Sequence, residues 1–200
     1  TRLESELSRQ TGYQDTLKAV NVRLTAEETA LKNTSDVMYR IKELATQAAN
    51  DTLSVQDRQS VALELSNLKD QVLSLANSQD SNGNYLFSGS RTGVPAFAKD
   101  ASGRVSYQGD QARMKVNVGD SRRMNLNMPG TDAYTRVVRD DGKGGKTGVD
   151  FFQSLDDLVA AVKSGDHPNM QRGIAEIDTL QNGISEGLGQ VGSDLTVVDM

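Results

Sequence analysis

The sequence predicts an α+β protein, an elongated antiparallel helical bundle resembling a coiled-coil rod, with a small β-rich domain inserted into it. Heptad stripes of mainly apolar residues cover residues 17–48 and 174–198, which is typical of long packed helices. Between Gly83 and Gly148 the amino-acid composition changes, since eleven of the 18 glycines and two of the three prolines lie there. Such residues punctuate short strands and tight turns.

The first helix is expected to run from Arg2 to Asn50. It contains no proline and one glycine, Gly12, and at about 1.5 Å per residue it would be about 70 Å long. A rod of this length needs partner helices to bury its stripe. Leu3 and Leu7 keep the phase of that stripe, which consists of Leu17, Val20, Leu24, Glu27, Leu31, Thr34, Met38, Ile41, Ala45 and Ala48.

Three further helices follow from capping signals and spacing. Ser54 with Asp57 predicts the start of a second helix, and the short connection makes it an antiparallel neighbour of the first. Asp150 is expected to cap a third helix that stops at Gly165, and Pro168 suits the start of a long last helix. The stripe of that helix is Ile174, Ile177, Gln181, Ile184, Leu188, Val191, Leu195 and Val198.

The middle of the chain is predicted to be β-rich. Alternating runs flanked by Gly, Asp or Pro predict short strands, and residues 140–148 (DDGKGGKTG) read as a mobile surface loop. The predicted domains are a discontinuous helical rod, residues 1–90 and 149–200, and an inserted outer domain, residues 91–148. The expected strands are Tyr85–Phe87, Val105–Tyr107, Met114–Val118 and Met124–Met128.

Four glycines disturb the last helix, and each costs about 1 kcal/mol relative to alanine in a helix interior. One interpretation is an irregular or frayed end. The other is a smooth strip that lets another helix approach closely. These glycines are Gly183, Gly187, Gly189 and Gly192.

Composition excludes several classes of function. The net charge of −5 disfavours nucleic acid and anionic membranes as partners, and no apolar run reaches the ~18 residues of a membrane helix. There is no cysteine, so disulfides, thiolate catalysis and zinc–thiolate sites are excluded. Both ends interrupt a heptad phase, so we expect a core fragment of a longer chain.

Loops and acidic pairs offer no predicted chemistry. Gly145-Lys146-Thr147 imitates the end of a phosphate-binding loop, but Asp140 stands where that motif needs glycine. Asp140 and Asp141 lack the spacing of a calcium loop. The sequence therefore predicts no cofactor and no metal.

Catalytic residues are also not predicted. Asp156 and Asp157 are adjacent on a helix, diverge by about 100° and are interpreted as a solvated face. His167, the single histidine, is interpreted as a turn residue beside a proline. With one histidine and no cysteine, the chain has almost none of the residues that a Ser/His or Cys/His catalytic site needs. An enzyme is accordingly disfavoured.

A basic cluster stands out in the acidic chain. It is interpreted either as a contact patch for an acidic neighbour or as cross-strand pairing with Asp110 and Asp120. The cluster consists of Arg104, Arg113, Lys115, Arg122 and Arg123.

Several segments resemble the flagellin superfamily. Residues 40–50 (RIKELATQAAN) resemble the end of its first helix, and Asp57-Arg58-Gln59 resembles its second helix. Residues 80–89 are more discriminating, because they resemble the hook-associated protein three family of hook–filament junction proteins rather than flagellin. Residues 105–118 resemble the strand pair that follows in that family. The signature residues are Asn84, Tyr85, Leu86, Phe87, Ser88 and Gly89.

The resemblance implies a structural protein of the bacterial flagellum that joins hook to filament by helical or ring self-assembly of rod-shaped subunits. It implies type III export without a cleaved signal peptide and an extracellular location. The implied partners are copies of the chain, another hook-associated protein, flagellin, and an export chaperone that binds a terminal region missing here. Because the terminal helices would drive polymerisation, we expect a monomer.

Subunit contacts are predicted on the polar faces of the long helices, at Arg40, Lys42, Glu43, Asp57 and Arg58. The alternative for these residues is a solvated face. Two other functions remain open from the sequence. One is filament flagellin, and the other is a secreted adhesin-like binding module whose β-rich head holds a ligand.

Overall fold

A computed structural model describes residues 1–199 and confirms the α+β fold class, a long helical bundle with small antiparallel strand pairs. Four α-helices and six short strands are present in this range. The helices are α1 (Arg2–Asn50), α2 (Val55–Ala76), α3 (Phe151–Ser164) and α4 (His167–Val198). The strands are β1 (Phe97–Lys99), β2 (Val105–Tyr107), β3 (Lys115–Asn117), β4 (Arg123–Asn125), β5 (Val137–Asp140) and β6 (Lys146–Val149).

Helix α1 packs against both other long helices. From Val20 to Ala48 its predicted stripe is buried throughout, whereas Leu3 and Leu7 are exposed. Lys42 contacts Asp178 near one end of the α1–α4 pair, and α1 and α4 meet again at Gly187. The pairing is antiparallel, because rising numbers on α1 meet falling numbers on α4.

Helix α2 begins as predicted, with the Ser54 hydroxyl accepting a hydrogen bond from the Asp57 amide at 3.1 Å. Its three/four spacing predicts a stripe of Val55, Arg58, Val61, Leu65, Leu68, Val72 and Leu75. The buried face is broader than this stripe, because α2 packs against α3 as well as α1. Val55, predicted on the stripe, is exposed. The fully buried residues of α2 are Ala62, Leu65, Lys69, Val72 and Ala76.

The ends of α3 differ in how closely they follow prediction. Gly165 ends the helix in the left-handed conformation, with φ of 71°. Asp150 precedes α3, but its side chain makes no capping hydrogen bond and instead pairs with Arg136 at 2.9 Å. Asp150 is thus the N-cap residue as predicted, but its carboxylate is bound by a nearby guanidinium and does not cap the helix amides. Asp166 caps α4 by accepting from the Asn169 amide.

The β structure consists of three separate antiparallel hairpins, β1–β2, β3–β4 and β5–β6, within residues 1–199. The strand at 105–107 matches its predicted run, the strand at 115–117 lies inside Met114–Val118, and the strand at 123–125 overlaps Met124–Met128 at two residues. Tyr85–Phe87 is not a strand, since only Tyr85 forms an isolated bridge, with Gln79. The surface-loop prediction was wrong over residues 146–148, which form part of β6 and pair with β5.

An aromatic cluster joins the hairpins to the rod. Tyr134 packs edge-to-face on Phe87 and Phe151, and Phe97 packs on Phe152, with ring centroids 5.1–5.8 Å apart. The Tyr134 hydroxyl lies 2.8 Å from the Thr34 hydroxyl of α1, and burial raises the pKa of Tyr134. One hydrophobic core thus extends from α1 into the insertion. The predicted domain limits, 1–90 with 149–200 and 91–148, stay a prediction.

Candidate assembly surfaces and the rod–insertion junction

The signature segment forms the joint between rod and insertion. The Leu86 carbonyl accepts a hydrogen bond from the Arg23 guanidinium at 3.2 Å. The next carbonyl, that of Phe87, accepts from the Gly130 amide at 2.8 Å. The Ser88 hydroxyl donates to the Val94 carbonyl at 2.6 Å. Because Leu86, Phe87 and Ser88 are fully buried, this hydrogen bonding replaces the strand predicted for the segment.

Gly89 ends this segment where a side chain has no room. Its φ is 66°, and a Cβ would collide with Asp110. Opposite it, a Cβ on Gly109 would lie 2.5 Å from the Ser88 carbonyl oxygen. Asp110 is held there by hydrogen bonds from Ser90 and the Ala112 amide, and those from Ser90 lower the pKa of Asp110 most. The signature therefore makes close backbone contacts inside one chain.

Two of the predicted contact residues form an exposed ion-pair chain on α1 and α2. Arg40 contacts Glu43 at 2.8 Å on its own helix and Glu64 of α2 at 3.1 Å. Lys42, by contrast, is half-buried and bridges α1 to α4 by contacting Asp178 at 2.5 Å. Arg40 and Glu43 therefore lie on the surface between α1 and α2, whereas Lys42 is paired across the other side of α1 with α4.

The two contact residues predicted on α2 also differ. Asp57 is exposed in the first turn, where a carboxylate suits the helix N-terminus. Arg58 is half-buried, donates to the Leu53 carbonyl at 3.2 Å and lies against Gly165, where a Cβ would meet the guanidinium at 3.1 Å. Arg58 thus ties the α1–α2 connection to the α3–α4 turn.

A shallow groove runs between α1 and α2 on the side of Arg40 and was missed from the sequence. Two adjoining depressions of about 400 and 440 Å³ share Asn33 and Leu75. Val22 is exposed beside the groove, although the heptad stripe does not include it. This off-stripe apolar residue was the available signal. The apolar residues lining the groove are Val22, Ala26, Ala30, Val37, Leu75 and Leu86.

The adjacent acids of α3 are not a solvated face, so that prediction was wrong. Asp156 pairs with buried Lys69 of α2. Asp157 pairs with Arg139 of β5 at 2.6 Å, and Arg139 also binds buried Glu176 of α4 through two nitrogens, each at 2.7 Å. The hydrogen bonds that Arg139 donates to Glu176 contribute most to raising the pKa of Arg139. The two acids diverge as expected, each toward a different cation.

The predicted basic cluster is dispersed. Arg113 forms a two-fold pair with Asp132, at 2.6 and 2.9 Å, and Arg122 donates to the Val197 carbonyl. Arg104 lies 3.6 Å from Asp150. Pairing with Asp110 and Asp120 was the wrong assignment, because Asp110 accepts from the loop around Ser90 and Asp120 faces α1.

The glycines of α4 fall into two groups. Gly183 and Gly187 are buried where the insertion crosses the helix, and a Cβ on Gly187 would lie 2.9 Å from the Ala133 Cβ. Gly189 and Gly192 have nothing within 4 Å of an added Cβ. The smooth-strip interpretation is confirmed for the first pair, with one difference. The approaching segment is the loop at Ala133–Thr135, not a helix.

Other sequence candidates add no assembled chemistry. Residues 145–147 lie on the β5–β6 hairpin, and His167 is exposed at the first position of α4. Within residues 1–199, no three His, Cys, Asp or Glu side chains are arranged to hold a metal ion. No helix in this range is long and apolar enough to cross a membrane.

An aromatic cleft of about 520 Å³ lies beside the joint. The sequence analysis had not anticipated it. Phe97, Tyr134, Phe151 and Phe152 line it but are almost completely buried. Their rings pack on one another, and only Tyr107 is partly exposed among the cleft's aromatic residues.

Comparison with known families shows what the first part of the chain is similar to. The family profile described as the bacterial flagellin N-terminal helical region matches residues 1–92, which are α1, α2 and the signature segment. FlaB1 flagellin of Treponema pallidum is 44% identical, but over 62 residues, 31% of this chain. Residues 1–92 are therefore similar to the N-terminal helical region of flagellins.

The matches that cover most of the chain are to a narrower class of protein than the match to the flagellin N-terminal region. Flagellar hook-associated protein 3 of Salmonella typhimurium is 28% identical over 175 residues, covering 84% of this chain and 54% of the relative. The chain is therefore similar to hook-associated protein 3 over most of its length, and the predicted resemblance to that family is confirmed. It spans about half the length of the curated relatives it matches.

Solved structures show the same fold. FlgL of Xanthomonas campestris superimposes with a TM-score of 0.87, covering 98% of this chain and 93% of the other at 23% identity. The flagellar junction protein FlgL of Legionella pneumophila gives 0.85, with 98% coverage of both chains at 17% identity. The fold match thus includes the rod and the insertion together.

Proposed function

We propose that this chain is the core of a flagellar hook–filament junction protein, a structural subunit that assembles side by side with copies of itself. The observation that carries the proposal is the similarity to hook-associated protein 3 over 84% of the chain, which includes both the helices and the insertion. The proposed partners are further copies, another hook-associated protein and flagellin. Export through the flagellar type III pathway, with a chaperone on a terminal region, belongs to the same proposal.

The architecture suits a load-bearing joint. A junction between two tubes must transmit torque and bending, and long packed helices transmit load along their axes. Heterologous side contacts between identical rods generate rings or helical arrays. The shared core and the signature hydrogen bonds keep the insertion fixed on the rod, so both would move as one subunit.

The α1–α2 face is the proposed subunit contact. It combines the apolar groove with the exposed chain of Arg40, Glu43 and Glu64, and interfaces typically place such apolar surface within a polar rim. Asp57 lies toward the same end and remains part of the proposed contact. Lys42 and Arg58 are half-buried and already engaged in contacts within the chain, so we propose that they support the contact surface from its edge.

Deletion of the corresponding full-length gene in its motile source tests the function. We expect hooks without filaments, with flagellin released into the medium as monomer, and restoration by the plasmid-borne gene. Intact filaments after deletion would refute the junction role and favour the adhesin-like alternative. Loss of flagellin synthesis itself would point to a filament-subunit locus.

Charge exchange tests the contact surface in the same strain. The triple variant Arg40→Glu/Glu43→Arg/Glu64→Arg keeps both intramolecular pairs but reverses their polarity toward a neighbour. We expect shortened or absent filaments with an unchanged circular dichroism melt. The control Glu28→Lys/Lys32→Glu exchanges a pair elsewhere on α1, whose atoms lie 3.5 Å apart. Normal swimming in the triple variant would remove Arg40 and Glu43 from the interface.

Filament flagellin is the second candidate. The curated flagellins match 31–41% of the chain, a smaller share than the match to hook-associated protein 3. Immunogold labelling distinguishes the two, because a junction protein is expected only between hook and filament. Label along the entire filament would instead support flagellin.

A further inference from the structure

A polar cavity of about 310 Å³ lies where α1, α4 and the β3–β4 hairpin meet. Hydrogen-bond acceptors dominate its wall. Glu27 comes from α1, Glu186, Gln190 and Asp194 come from α4, and Asn125 closes the cavity from β4. Glu186 and Gln190 are exposed at its rim, whereas Glu27 lies almost completely buried at its inner end.

Glu27 accepts no hydrogen bond at its buried Oε1 atom among residues 1–199. The Nε atom of Arg23, one turn earlier, forms an ion pair with this oxygen at 3.6 Å and is also buried without a hydrogen-bond partner. The Nη2 atom of Arg23 donates to the Leu86 carbonyl. A buried carboxylate oxygen without a donor is costly, unlike the satisfied polar groups found in most cores.

The charges around the cavity do not balance. Arg23 is shared between Glu27 and Asp80, which lies 3.5 Å away beyond α2. Glu186 and Asp194 face the cavity, and among residues 1–199 the one cation in its lining is Arg113. Arg113 is already paired with Asp132, to which it donates hydrogen bonds from two nitrogens. The surroundings therefore carry excess negative charge when the carboxylates are ionised.

The remaining side chains also favour an external donor. Asn127 uses its oxygen to accept from the Met114 amide and its nitrogen to donate to the Ala112 carbonyl. Gln190 donates to Asp194 at 3.1 Å, which leaves its carbonyl oxygen as an acceptor. The occupant that matches this wall is positively charged and carries several N–H donors.

We propose that this cavity is a binding site for a small primary ammonium compound, with Glu27 as the buried ligand and Asp194, Glu186 and Gln190 around the opening. The arrangement of carboxylates does not fit direct coordination of a metal ion. Its volume equals that of roughly ten water molecules at about 30 Å³ each, which is sufficient for a short diamine. A –NH₃⁺ group offers three donors to the unpaired acceptors.

Isothermal titration of the chain at low salt with putrescine, a short aliphatic diamine, tests the proposal. We expect saturable binding of one molecule per chain. Glu27→Gln should weaken it by about ten- to a hundredfold, the usual loss for a hydrogen bond to a charged group. Asp194→Asn should also weaken the binding of putrescine. Glu28→Gln, the neighbouring residue on α1 with the same change of charge, is the matched control and should bind as the parent does.

Binding should also depend on pH. Burial is the largest cause that raises the pKa of Glu27, to about 8, with Arg23 opposing and Asp194 adding to the rise. Deprotonated Glu27 is the binding form, so affinity should increase from pH 6 to pH 8.5 in the parent. The increase should be much smaller in Glu27→Gln, whose circular dichroism spectrum at each pH establishes that it is folded.

Three results would overturn the proposal. If tetramethylammonium, which has charge but no N–H donor, binds as tightly as putrescine, the cavity recognises positive charge alone and not N–H donors. Equal binding of Mg²⁺ would point to a hydrated metal ion. Binding of a peptide with an acetylated N-terminus and a free lysine side chain, without binding of putrescine, would indicate a lysine supplied by a partner protein rather than a free amine.

Discussion

Replacing Glu27 by glutamine should make the folded chain more stable at alkaline pH. Burial raises the pKa of Glu27 from 4.5 to about 8 in the folded state. The folded state therefore binds the proton more tightly than the unfolded state does. Binding of this proton makes its full contribution to the free energy of unfolding below about pH 4.5. That contribution is lost as the pH rises through about 8. Glutamine keeps the shape of the protonated acid and never ionises.

The magnitude follows from the change in pKa. At about 1.36 kcal/mol per pH unit, the rise to about 8 limits the effect to roughly 5 kcal/mol, reached only above pH 8. At pH 5 the parent and Glu27→Gln should differ by less than about 1 kcal/mol, the size of one uncharged hydrogen bond. Urea unfolding followed by circular dichroism at several pH values measures the difference directly, because other titrating groups are common to both chains.

The result that would refute this reasoning is a stability difference between parent and variant that stays constant from pH 5 to pH 9. It would mean that Glu27 is ionised in the folded chain throughout, through Arg23 or through solvent entering the cavity. Glu28→Gln is the control, because its partner Lys32 is exposed and the residue lies outside the cavity. Its difference from the parent should be small at every pH.

Two further predictions concern packing. Gly187→Ala should destabilise the chain by about 1–3 kcal/mol, because the new Cβ would lie 2.9 Å from the Ala133 Cβ. Gly189→Ala should stabilise the chain by up to about 1 kcal/mol, because no atom lies within 4 Å of the new Cβ. Equal urea midpoints for the two variants would contradict this prediction. Arg139→Met should cost about 3–5 kcal/mol by leaving Glu176 buried without its cation, and Arg139→Met/Glu176→Met should recover most of that loss in the same unfolding assay.

The helices could be predicted from the sequence because their signals are local and repeated. A heptad stripe names the buried face of α1 at every turn, and Ser54, Gly165 and Pro168 mark helix ends by their own conformational preferences. Even the polar stripe positions Glu27 and Thr34 were placed correctly inside. The stripe could not show that Thr34 meets Tyr134, a residue far away in sequence.

The strands and the candidate surfaces were predicted less well for a physical reason. Each hairpin pairs only three or four residues, too few for alternation to separate a strand from an extended loop. Tyr85–Phe87 alternates like a strand, but its carbonyls bond to Arg23 and Gly130 instead of a neighbouring strand. Likewise, Arg58 and Lys42 look solvated in a helical pattern, and only the packing of α3 and α4 shows them engaged.

The joint between rod and insertion gives a physical reason to expect that the signature segment differs between proteins whose insertions follow different paths. Leu86 to Gly89 do not face solvent, so their identities are set by what they contact inside the chain, namely Arg23, Gly130 and Asp110. An insertion with a different path would place other backbone atoms there, and Gly89 would no longer need a positive φ. The signature therefore reports how the outer domain is attached to the rod. Assembly specificity, by contrast, would lie on the exposed α1–α2 face, where substitutions are free of this internal constraint.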